Sequence, residues 1–163
     1  MDRIALEMES HRQGRSAAFD LAVGRRGGEG DALRHLRPGP NLPVRTEDAI
    51  GVAVCAAADL LSAPLIVCFT SSGFTARKVA AYRPSVPIFA CTPEPDTCRQ
   101  LAAVWGVVPA QTEHLKDYDM MLTAARHLIL ERKLAERGER LVVTAGVPFD
   151  VAGTTNLLKI EAV

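Results

Sequence analysis

From Thr46 to the end of the chain, short wholly apolar runs alternate with longer segments of helical texture, and this alternation limits the fold more than any other feature. Leu65 to Phe69 is apolar at every position, as expected of a strand buried on both faces. Thr46 and Asp48 precede an alanine-rich run, which places a helix from near Glu47 to about Ser62, stopped before Pro64. After the first strand, Thr70-Ser71-Ser72-Gly73 forms a turn that opens a second helix, and Arg83-Pro84 breaks that helix just after Tyr82. The pattern then gives a strand over Val86 to Ala90, a helix from Pro93 to about Val104 and a short strand over Val107 to Ala110. A long helix follows from Asp117 to about Glu136, with Met121, Ala125, Leu128, Ile129 and the stem of Lys133 on one side. Leu141 to Ala145 is a fourth strand and Thr155 to Val163 a fifth.

Strand–helix alternation with short links implies parallel strands joined by right-handed crossovers. No helix separates the last two strands, so the fifth returns antiparallel. The expected architecture is a three-layer α/β/α sandwich around a mostly parallel five-stranded sheet with the last strand antiparallel. The preceding residues have a different texture. Residues 2 to 10 space Ile4, Ala5 and Met8 for one apolar face, about two helical turns that need a docking partner. Residues 11 to 45 are rich in glycine, proline and arginine and read as a linker or long surface segment. The Gly24–Gly30 cluster lacks the lysine–hydroxyl pair of a phosphate loop.

The 163 residues carry 19 basic and 19 acidic side chains, so the broad positive field of a nucleic-acid binder is missing. The longest uncharged apolar run, Ala49 to Ala58, is too short to span a bilayer, and Asp2, Glu7 and Glu9 do not suit a secretory start. A cytoplasmic location is expected. Cys55, Cys68, Cys91 and Cys98 form no C-x-x-C spacing, and three of them lie in apolar runs, so free buried thiols are expected and no metal site.

Two segments carry chemistry. Thr70, Ser71, Ser72, Gly73, Phe74 and Thr75 follow a buried strand and begin a helix, the place where open α/β sheets bind ligands. Unpaired helix amides, four hydroxyls and a glycine suit a phosphate there. The spacing equally allows Ser71 or Ser72 to act as a plain helix cap. The second segment, Gly146 to Asn156, follows the fourth strand; it overhangs the first if strands one and four are neighbours, or is a simple hairpin connection. No nucleophile elbow and no carboxylate pair placed for acid–base work is present. Arg77 and Lys78 follow the turn and are expected to face solvent.

Thr70-x-Ser72-Gly73-x-Thr75-Ala76, Val79-Ala80-x-Tyr82-Arg83-Pro84-x-x-Pro87-Ile88 and Thr92 resemble the C-terminal domain of pyruvate kinase. So do Ala102-x-x-Trp105-Gly106-Val107-x-Pro109, Val143 to Pro148 and Gly153-Thr154-Thr155-Asn156, in wording closest to bacterial members. Met1 to Ala5 resembles the last helix of that enzyme's barrel, and Met1 coincides with an internal methionine there, as in a fragment or truncated reading frame. The resemblance implies a parent enzyme that moves a phosphoryl group between phosphoenolpyruvate and ADP, with magnesium and potassium held on a catalytic barrel this sequence does not contain. It implies that this chain holds no catalytic residue and no cofactor of its own. It implies a phosphorylated small-molecule effector gripped by Thr70, Ser71, Ser72, Gly73, Phe74 and Thr75. Gly153 and Thr154 would belong to a loop closing over that effector, and the chain would form part of a homo-oligomer. The closing loop, Val147 to Thr155, has no lysine or arginine and contains Asp150, which favours a monophosphate, such as a sugar monophosphate or AMP. A self-standing phospho-ligand-binding protein derived from the same domain is the alternative, and a small independent enzyme acting on phosphorylated substrates the third.

Overall fold

The computed structural model describes residues 44–115, 117–148 and 154–163. The expected barrel-helix remnant at 1–10 and nearly all of the expected linker at 11–45 lie outside the described residues, and residues 43–163 form one compact unit. Its elements run α1 (Thr46–Leu60), β1 (Ile66–Phe69), α2 (Phe74–Ala81), β2 (Ile88–Thr92), α3 (Pro95–Leu101), β3 (Val107–Gln111), α4 (Tyr118–Glu131), β4 (Arg140–Ala145) and β5 (Leu157–Ala162).

The strands form a sheet of order β3-β2-β1-β4-β5. β1 pairs in parallel with β2 and β4, β2 pairs in parallel with β3, and β5 returns antiparallel on β4. Chain order therefore runs outward from β1 to β3 and then jumps back to β4. That reversal makes a crevice at the carboxyl ends of β1 and β4, the switch point of an open α/β sheet. The apolar runs explain the burial. Ile66, Val67 and Cys68 are fully buried, because α1, α2 and α3 cover one face of the sheet and α4 the other. Val54, Ala76, Val79 and Leu101 fill the first interface; Phe89, Leu122, Ala125 and Ile129 fill the second.

Several boundaries differ from expectation. β2 begins at Ile88 rather than Val86, because Pro87 has no N–H to donate; its carbonyl instead accepts from Ile66. It extends to Thr92 because Cys91 and Thr92 pair with Ala110 and Gln111. α3 starts at Pro95, since the Glu94 N–H is taken by the Thr92 hydroxyl at 3.2 Å. α4 ends at Glu131, where Lys133 adopts φ 55° and the Leu134 N–H reaches back to the Ile129 carbonyl at 2.9 Å. Lys133 is thus exposed at the end of the helix, and Leu122 takes the buried position expected of that apolar side.

β5 is an edge strand that α4 nevertheless anchors. The Tyr118 hydroxyl donates to Glu161 at 3.1 Å, Arg126 donates to the Ala162 carbonyl at 2.7 Å, and Lys159 lies 4.0 Å from the Tyr118 ring centre. Burial, then the neighbouring Glu161, pushes the Tyr118 phenol well above its usual range. β3, the opposite edge, carries Pro109 within its run, a device that blunts strand pairing. All four cysteines are free, with Cys55, Cys68 and Cys91 buried as expected.

Candidate functional site

The turn after β1 is built from its own hydroxyls. The Thr70 N–H donates to the Cys91 carbonyl at 3.1 Å, carrying the strand one step past Phe69. The Thr70 hydroxyl then accepts from the Gly73 N–H at 2.9 Å and closes the turn. Gly73 is the N-cap of α2 at φ 78°, a left-handed conformation that glycine adopts without steric cost. Neither Ser71 nor Ser72 caps the helix in the expected manner; the Ser72 hydroxyl only meets the Phe74 N–H at 3.4 Å. The first amides of a helix have no intrahelical acceptor, and the helix dipole adds partial positive charge at this end of α2.

Neighbouring elements fix this turn. Thr97 on α3 donates to the Ser71 carbonyl at 2.8 Å. Arg77 folds back to the Ser72 carbonyl and to Gln100, each at 3.0 Å. Lys78 points away and pairs with Asp48 of α1 at 2.6 Å. Both cations border, with Ser72 and Phe74, a shallower depression beside the turn.

The loop after β4 comes to the same place, as the adjacency of β1 and β4 requires. Thr75 is 2 % exposed, and its hydroxyl lies 2.9 Å from that of Thr155, which is equally buried. A buried hydrogen bond of this kind contributes about 1 kcal/mol. Gly146 packs so close that a Cβ there would sit 2.2 Å from the Thr154 carbonyl oxygen. Asn156 ties the loop's base, accepting from the Val147 N–H at 2.8 Å and donating to its carbonyl at 2.7 Å. Gly153 lies outside the described residues.

Together these parts border an open cleft at the carboxyl ends of the strands. It brings together Thr70, Ser71, Ser72, Phe74, Thr75 and Thr154 from the sequence-based set. Gly73 is buried beneath the turn, where its hypothetical Cβ would meet Leu101 and Thr97 at 3.2 Å. The far wall, missed in the sequence reading, is Thr112, Glu113, His114 and Leu115 after β3, with Met121 of α4. The rule that ligands sit at strand carboxyl ends applies equally to β3 and marks this loop. Among the described residues, no three His, Cys, Asp or Glu side chains converge to hold a metal ion. No described helix is long and apolar enough to cross a membrane.

A mostly parallel sheet with helices on both faces and a glycine-capped helix start at its switch point defines a doubly wound α/β domain. The comparisons make that specific. The chain belongs to the pyruvate kinase family: the model of the "Pyruvate kinase, alpha/beta domain" matches residues 48–161. It is 40% identical to the pyruvate kinase of Clostridium acetobutylicum over 118 residues, covering 72% of this chain and 25% of that protein. It is 41% identical to that of Staphylococcus saprophyticus over 116 residues, covering 71% and 20%. A crystal structure of a pyruvate kinase from Cryptosporidium parvum superposes with a TM-score of 0.66 at 32% identity, over 74% of this chain and 23% of that one. The chain thus spans about a quarter or less of the length of these relatives, over their C-terminal alpha/beta domain.

Proposed function

We propose that this chain is the regulatory part of a pyruvate kinase and binds a phosphorylated small molecule, a sugar monophosphate or AMP, with the phosphate against the start of α2. The observation that carries this reading is the gathering, in one cleft at the start of α2, of Thr70, Ser71, Ser72, Phe74 and Thr75. The amides and dipole favour an anion, and the Ser71 and Ser72 hydroxyls donate to its oxygens. The Thr75 hydroxyl is engaged with Thr155, so Thr75 serves the ligand through its amide, and Gly153 and Thr154 belong to the loop that closes over it.

Phosphoryl transfer itself, with magnesium and potassium, belongs to the parent enzyme's catalytic barrel, which this chain partners where that barrel is present. The chain works in the cytoplasm as a homo-oligomer. The outer edge of β5, with no strand beside it among the described residues and Ile160 43% exposed, supports pairing between like copies. Differential scanning fluorimetry tests the binding reading. Ribose 5-phosphate or AMP raises the melting temperature of the wild type, and the Ser71→Ala/Ser72→Ala double variant loses at least half of that rise. An equal rise in both proteins removes the turn from the site.

A further inference from the structure

An anion site built from peptide groups needs its carbonyl oxygens turned elsewhere, because each brings negative charge where the ligand needs a donor. In the turn after β1 those oxygens are engaged by side chains from outside the cleft. The Ser71 carbonyl accepts from the Thr97 hydroxyl of α3 at 2.8 Å and from the Thr92 hydroxyl at 3.5 Å. The Ser72 carbonyl accepts from one terminal nitrogen of Arg77 at 3.0 Å, and the other terminal nitrogen donates to Gln100 of α3, also at 3.0 Å. The peptide between Ser72 and Gly73 is thereby fixed at both ends, since its N–H donates to the Thr70 hydroxyl at 2.9 Å. A guanidinium, with donors in a rigid planar fork, suits this bridge; a lysine has a single nitrogen and does not span both acceptors in the same way. Gly73 leaves room for the fork, as a Cβ there would come 2.7 Å from the guanidinium. Thr70, Ser71 and Ser72 line the cleft, whereas Arg77, Thr97 and Gln100 are not among its described lining residues.

We propose that Arg77 is a positioning residue for this site: from outside the cleft it holds the Ser72 carbonyl toward α3, so that an anion at the start of α2 meets hydroxyls and amides alone. Released from Arg77, the 72–73 peptide rotates more freely and brings its oxygen toward the ligand, opposing a phosphate and weakening the bond to Thr70. Thr97 serves the Ser71 carbonyl in the same way. Arg77 thus acts through the geometry of the turn and not as a counter-charge, the role of a supporting side chain that keeps the contact groups in place. This assignment rests on the phosphate position given under Proposed function, and it gives α3, through Gln100 and Thr97, a part in binding.

Variants that keep the charge separate this role from a plain electrostatic one. Isothermal titration with ribose 5-phosphate and with AMP gives affinities for wild type, Arg77→Met, Arg77→Lys and Gln100→Ala. Loss of the charge-assisted bridge should weaken binding about tenfold in Arg77→Met and Arg77→Lys alike, and several-fold in Gln100→Ala, which keeps the guanidinium but removes its second anchor. Arg77 and Gln100 are exposed, so the variants fold, which melting temperatures close to that of wild type verify. In the free proteins the resonance of the Gly73 amide nitrogen, which is bonded to the Ser72 carbonyl carbon, should shift in every variant. If either charge-keeping variant binds like wild type, or if binding weakens while the Gly73 resonance stays in place, Arg77 does not position the turn and the phosphate site stands. If neither ribose 5-phosphate nor AMP binds the wild type, the phosphate site itself falls and takes this assignment with it.

Discussion

Replacing Asp48 with asparagine probes what holds α2, and therefore the anion-facing turn, in place. Asp48 lies in the first turn of α1, and Lys78 and Tyr82 lie at the end of α2. Its Oδ1 atom receives the Lys78 ammonium at 2.6 Å and the Tyr82 hydroxyl at 2.9 Å. Beneath them Gly51 lets the Tyr82 ring rest on α1, since a Cβ there would come within 2.6 Å of the ring. Asparagine keeps an acceptor for Tyr82 and removes the charge, a loss of about 1 kcal/mol for a partly buried pair that also complements both helix dipoles. Alanine leaves the ammonium and the phenol without an acceptor and costs about 2–3 kcal/mol. For a unit of this size each kcal/mol lowers Tm by about 3–5 °C. The pH dependence has a definite sign. Lys78 holds the Asp48 carboxyl below its ordinary value of 3.8 in the folded state. The stabilisation is therefore fully present above that value and is lost as pH falls through the folded pKa. Calorimetry of wild type and Asp48→Asn should show a constant Tm gap from pH 7 to pH 5 that closes below about pH 4. No gap at pH 7, or one that widens in acid, refutes the reasoning.

Two further outcomes follow from the site and the core. Gly146→Ala forces a methyl group onto the Thr154 carbonyl, 2.2 Å away, and displaces the loop that Thr155 and Asn156 hold; a stability loss of about 2–3 kcal/mol is expected, with weakened ligand binding by titration, and wild-type behaviour in both would show the close approach is not required. Burial pushes the thiols of Cys55 and Cys91 up to about 12 and raises that of Cys68 still further. Ellman's reagent at pH 8 should therefore label Cys98 first in the native protein and all four thiols in guanidinium; rapid labelling of more than one native thiol contradicts the burial.

Much of the fold can be read from residue pattern because the sheet is parallel and covered on both faces. Leu65 to Phe69 has no polar position, and only a central strand buries such a run. The antiparallel return of β5 follows from the missing helix between β4 and β5. Edges were harder, because local chemistry set them. Pro87 delays β2 and the Thr92 hydroxyl delays α3, while the left-handed backbone of Lys133 stops α4 at Glu131, two residues after Ile129. The site divides in the same way. The Thr70–Thr75 turn announces itself by composition, next to a strand. Glu113, His114 and Met121 do not, because nothing local distinguishes them; only the return of the chain from β3 to β4 sets their loop across from the turn. The role of the Thr75 side chain was also hidden, since its partner Thr155 is 80 residues away.

Backbone amide shifts give the most direct reading of the anion site. In ¹⁵N-labelled protein titrated with ribose 5-phosphate, the resonances of Gly73 to Ala76 should move in a saturable way, and further than those at the distal end of α2 around Ala80. Saturable movement elsewhere, with Gly73 to Ala76 unchanged, would contradict an anion seated at the start of α2.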